Sequence, residues 1–164
     1  MSGSTMPQKY PGNEHHQRIL RAIVGYYADD ERVLAVALFG SLARGNWDDD
    51  SDLDLDIVLA DGVTVNPLAE LTSLCDALGA ISERAAVIVP NGSDAGDIVL
   101  ASLLELSIRY HPLSTTSPNI VESLRVLSGS LSSEAICAAG QAQSRPAQSP
   151  LSELVDRAVR YTVE

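Results

Sequence analysis

Residues 39–59 constrain this chain more than any other stretch. They read Phe39-Gly40-Ser41-Leu42-Ala43-Arg44-Gly45, a polar acidic loop, then Ser51-Asp52-Leu53-Asp54-Leu55-Asp56-Ile57-Val58-Leu59. A Gly-Ser pair closes one apolar run, and after a ten-residue gap a second run opens with carboxylates at alternate positions. Residues i and i+2 of a strand share a face, so Asp52 and Asp54 converge on one cation. Two convergent carboxylates on a rigid element suit Mg²⁺, which is held by one or two carboxylates plus substrate phosphates. The small Gly40-Ser41 corner leaves backbone N–H groups and a hydroxyl to meet those phosphates. Asp56 shares the parity of the pair, but about 13 Å separates it from Asp52 along an extended strand, too far for one shared metal. A buried unpaired carboxylate is costly, so Asp56 needs a metal, an arginine or water.

Composition narrows the partners. Asp and Glu number 22 against 11 Lys and Arg, a net charge of −11. With no basic stripe to neutralise a phosphodiester backbone, long DNA or RNA is disfavoured. The cluster Asp48-Asp49-Asp50 reads as a solvated loop. Cys75 and Cys137 lie far apart, and residues 1–10 lack an apolar core of the signal-peptide type, so both cysteines read as free buried thiols in a cytoplasmic protein. No apolar run approaches the length of a membrane span.

Along the chain, residues 1–12 read as a disordered leader. Asn13 caps a helix to about residue 28, with Ile19, Leu20, Ile23, Val24 and Tyr27 as its apolar stripe. Residues 33–39 form a strand buried on both faces, and residues 52–59 a second strand. Pro67 opens a helix that Gly79 ends, and residues 85–89 form a third strand closed by Pro90-Asn91-Gly92. A helix over about residues 97–110 completes a core of 13–112. Residues 113–164 read as a helical, irregular extension, with helices near 118–127, 131–139 and 150–162 and a linker over 141–150. The last of these exposes enough apolar surface to need a partner, which makes an oligomer one use of it. His15 and His16 fall in the first helical turn and read as surface residues, and His111 has no evident role.

The string Gly-Ser-x-Ala-Arg-Gly followed by Ser-Asp-x-Asp-Leu resembles the DNA polymerase β-like nucleotidyltransferases, and is closest to their small stand-alone branch, the minimal nucleotidyltransferases. The same spacing is similar to that of adenylyltransferase antitoxins that partner HEPN-domain toxins. The resemblance spans about residues 15 to 112 and is concentrated at 39–59. It implies an α/β (α+β) fold with a mixed sheet flanked by helices. It also implies transfer of a nucleotide from ATP or another nucleoside triphosphate to a hydroxyl acceptor, with Mg²⁺ or Mn²⁺ as cofactor. The implied acceptor is a protein such as a HEPN-type toxin. Asp52 and Asp54 are then the metal ligands and catalytic carboxylates, and Gly40 and Ser41 hold the β- and γ-phosphates. Arg44 either forks onto a phosphate or braces the acidic loop.

Active members of this superfamily place a third carboxylate on a later strand. In the run Arg84-Ala85-Ala86-Val87-Ile88-Val89, Ala86 falls where that acid is expected, and Glu83 points to the opposite face by parity. Two readings therefore stand side by side: an active adenylyltransferase, and a degenerate relative that binds a nucleotide or a partner protein without turnover.

Overall fold

The computed structural model describes residues 10–116 and 124–131. Helix α1 (Glu14–Tyr27) begins at Asn13, whose side chain accepts from the His16 N–H, and buries Ile19, Leu20, Ile23 and Tyr27. Strand β1 (Val33–Phe39) leads into a five-residue helix, α2 (Gly40–Arg44), and strand β2 (Leu53–Leu59) follows. Helix α3 (Pro67–Ile81) has Pro67 in its first turn, where a missing N–H costs nothing. It runs past Gly79, which therefore does not end it. Three strands come next: β3 (Ala85–Asn91), β4 (Ala95–Leu100) and β5 (Glu105–Pro112). Strand β6 (Arg125–Gly129) is the last described element.

The six strands form one sheet in the order β3-β4-β5-β2-β1-β6. Among the described strands only β2 and β5 pair in parallel; the other four pairings are antiparallel. Helices α1 and α3 cover one face, where Leu38, Leu53, Leu55, Ile57, Ile98, Leu106 and Ile108 meet Ile19, Ile23, Leu71, Leu74 and Leu78 in a single core. Gly96 on β4 lets α3 approach closely, since a Cβ there would strike the Leu71 side chain. The Tyr27 and Tyr110 hydroxyls meet at 2.9 Å inside this layer, which satisfies both polar tips. Cys75 is a free, buried thiol, as the sequence suggests. Among the described residues no helix is long and apolar enough to cross a membrane.

The expected α+β architecture, α1, β1, β2 and α3 are present. The helix expected over 97–110 is not: that stretch is the β4–β5 hairpin. Its burial alternates with period two, with Ile98 and Leu100, then Leu106, Ile108 and Tyr110, facing the helices. Asp97, Ser107 and Arg109 face the other way. β-branched and aromatic residues at that spacing fit a pleated surface better than a helix. The helix expected near 118–127 is likewise replaced at its end by β6, which pairs with β1. Residues 132–139 and 150–162 of the expected helices, the linker at 141–150, Cys137 and residues 1–9 of the leader expected at 1–12 lie outside the described residues, whereas Tyr10 of that leader is buried against the core.

Candidate active site

The sheet face away from the helices carries the polar groups. Phe39, at the end of β1, pairs with Asp54 on β2, and Asp54 pairs with Ser107 on β5. Ser107 in turn pairs with Asp97 on β4. Directly paired residues point to the same side, so Asp97, Ser107 and Asp54 form one row across three strands. The Ser107 hydroxyl donates to Asp97 Oδ1 at 2.7 Å.

Gly40 turns the chain out of β1 with φ +72°, a conformation that L side chains avoid. A Cβ at Gly40 would collide with the Asp54 carboxylate. The glycine is thus required twice, by its backbone and by the carboxylate beside it. Helix α2 closes on Gly45, also left-handed at φ +84°, whose N–H donates to the Ser41 carbonyl. Leu42 anchors this turn in the core, while Arg44 at its end is exposed.

Asp52 is exposed just before β2, and Asp54 is half-buried behind it. Burial raises the Asp54 carboxyl above the ordinary range, and the neighbouring Asp52 charge raises it further. Arg109 and Arg44 oppose this, and Glu105 adds to it. Two neighbouring carboxylate oxygen donors, Asp52 and Asp54, are hard ligands suited to a divalent cation, so the residues present fit Mg²⁺. Among the described residues no trio of His, Cys, Asp or Glu clusters tightly enough to hold a metal alone. Waters or phosphate oxygens would complete the shell of such an ion.

Asp56, one step further along the same face, is fully buried and has the arginine it needs. Arg109 Nε donates to Asp56 Oδ1 at 2.9 Å and Nη2 donates to Oδ2 at 3.2 Å. The guanidinium also lies over the Phe39 ring, 3.9 Å from its centroid. His111 Nε2 sits 3.2 Å from Asp56 Oδ1, without hydrogen-bond geometry. Arg109 and His111 thus have neighbours that their sequence positions did not announce. The β5 register is what supplies them.

Two expectations change here. Ala86 lies on the edge strand β3, with β4 and β5 between it and β2. Three strand spacings amount to about 14 Å, so an acid at position 86 would not face Asp52 and Asp54. The carboxylate in the Asp54 row is Asp97, in the run Gly96-Asp97-Ile98-Val99. The local signal for it, an acid followed by β-branched residues, was masked by reading 97–110 as helical. Glu83 is engaged elsewhere, accepting from Ser102 Oγ at 2.7 Å with His15 Nε2 at 3.5 Å. His16 is not a surface residue: it is 1% exposed.

Residues 21–100 match the family model of the polymerase beta nucleotidyltransferase domain. This stretch, which carries β1 to β4 with α2 and α3, is therefore similar to a nucleotidyltransferase domain. Comparison with curated proteins gives no match. Among solved structures the chain is similar to a toxin-antitoxin with AMP-PNP, at 16% identity and a TM-score of 0.44, covering 85% of this chain and 97% of that one. It is similar to a mutant of the toxin-antitoxin MntA-HpeT at 14% identity and a TM-score of 0.42, with the same coverage. A third similarity is to the E. coli MS115-1 CdnC:HORMA-deltaN complex, at 20% identity and a TM-score of 0.41, covering 79% of this chain and 44% of that one.

Proposed function

We propose that the chain is a Mg²⁺-dependent nucleotidyltransferase that passes AMP from ATP to a hydroxyl acceptor on a partner protein. The observation that carries this reading is the row of Asp54, Ser107 and Asp97, lying against the Gly40 corner inside a stretch that matches the family model. Asp52 and Asp54 would hold a divalent cation, which offsets charge developing on the phosphate oxygens. Gly40 and Ser41 would hold the β- and γ-phosphates, and exposed Arg44 is free to swing onto them. In the reaction the acceptor oxygen bonds to the α-phosphorus, the bond from that phosphorus to the bridging oxygen breaks, and pyrophosphate leaves. Asp97 is the residue we assign to take the acceptor proton. It stands two strands from Asp54, about 10 Å between Cα positions, which leaves room for an acceptor between them. The Ser107 hydroxyl fixes one Asp97 oxygen and leaves the other to face that acceptor.

The motif resemblance to adenylyltransferase antitoxins points to a HEPN-type protein as the acceptor. Positioning and charge neutralisation dominate such transfers, so a small constellation suffices. The test is transfer of label from α-phosphate-labelled ATP to such a partner, or to water, with Mg²⁺ or Mn²⁺. Asp97→Asn should slow transfer about a hundredfold or more while ATP still binds. ATP binding with no transfer to any acceptor would favour a binding module instead. An unchanged rate in Asp97→Asn would remove Asp97 from the chemistry.

A further inference from the structure

The loop that carries Asp52 is tied to the first turn of α1. His16, the third residue of that helix, closes a capping box: the Asn13 backbone N–H donates to His16 Nδ1 at 3.1 Å, and the His16 N–H donates to Asn13 Oδ1 at 3.0 Å. An accepting Nδ1 puts the proton of the neutral ring on Nε2. That nitrogen lies 2.8 Å from the carbonyl oxygen of Ser51 and so donates to it. Ser51 immediately precedes Asp52. The ring is also held from two sides: Gly12, at φ +93°, has no side chain and a Cβ there would collide with His16. Trp47 meets the ring edge-on with centroids 6.0 Å apart.

The loop is stiff at its other contacts. Asp48 Oδ1 accepts from the Asp50 N–H and from Ser51 Oγ, and Ser51 Oγ accepts from the Asp48 N–H. Asn13 Nδ2 donates to Asp49 Oδ1 at 3.2 Å. Glutamate or glutamine normally serves at the third position of a capping box. Capping alone therefore gives no reason for an imidazole. A second nitrogen aimed at the loop does.

We propose that His16 is a positioning residue that fixes the Ser51–Asp52 peptide, and through it the direction of the Asp52 carboxylate. This rests on the reading of Asp52 as a metal ligand. Trp47, the chain's one tryptophan, lies in the same loop and reports on its order. The test pairs two substitutions. His16→Gln can accept from Asn13 and donate to Ser51, whereas His16→Glu keeps the cap but has no donor for Ser51.

His16→Glu should melt below His16→Gln, because it places a carboxylate at a buried position, so both variants are compared well below their melting transitions. His16→Glu should show about twofold greater acrylamide quenching of Trp47 and about tenfold weaker MgATP affinity, the scale seen when a ligand's supporting hydrogen bond is lost. His16→Gln should stay near wild type in both readouts. If His16→Glu matched wild type in quenching and affinity, the proposal would be overturned. If quenching rose while Asp52→Asn bound MgATP as well as wild type, the tie to the loop would stand and the assignment of Asp52 would fall.

Discussion

Asp54 is the residue on which most of the site's electrostatics converge. Burial and the Asp52 charge raise its pKa, against the pull of Arg109 and Arg44. A carboxyl whose folded pKa is raised adds stability below its unfolded pKa, and loses that contribution as pH rises through the folded value. At pH 7 the ionised group therefore costs stability. Asp54→Asn should melt at a higher temperature than wild type at pH 7, and the margin should close as pH falls to about 4. Mg²⁺ should raise the melting temperature of wild type and not that of the variant. Melting curves across pH, with and without Mg²⁺, check both signs, and a less stable variant at pH 7 would contradict the account. The sequence singles out Asp52 and Asp54 by their alternate spacing, although the strand begins at Leu53, one residue after Asp52. The burial of His16 was not legible there, because the loop that covers it comes some 35 residues later in the chain.

Strands β2 and β5 are separated by more than 40 residues in sequence, yet their parallel register decides what surrounds the site. It sets Arg109 opposite Asp56, and Arg109 reaches across to the Phe39 ring at the end of β1. Three strands are thereby joined by one side chain. Arg109→Leu should destabilise the fold by about 2 kcal/mol, because it leaves a buried carboxylate without its two charge-assisted bonds. Arg109 is 41% exposed, so the cost falls below that of a fully buried pair. Urea denaturation of Arg109→Leu beside Asp56→Leu/Arg109→Leu checks the cause, since the double variant should recover part of the loss. That Asp56 needs a metal, an arginine or water was legible from its parity; that Arg109 is the partner was not. Glu105, Ser107 and Arg109 alternate with Leu106, Ile108 and Tyr110, and a helical reading of these residues scatters them around a cylinder. As a strand they line up beside Asp54, with Asp97 one strand further out.

At the scale of the whole molecule, the fold divides its labour between the two faces of one sheet. One face is apolar and covered by α1 and α3; the other gathers acids from β2 and β4, a serine and an arginine from β5, and a glycine corner after β1. The net charge of −11 suits a partner brought by specific contacts rather than by attraction to a long phosphate backbone. On the proposed function, a cation held by Asp52 and Asp54 would offset the charge between this acidic face and a triphosphate, which makes metal-dependent nucleotide binding the central claim. The most direct measurement is calorimetric titration of MgATP, and of MnATP, into wild type and into Asp52→Ala/Asp54→Ala. The account predicts binding to wild type that requires the metal and is lost in the double variant. Equal binding by both proteins, or none by wild type with either metal, would contradict it.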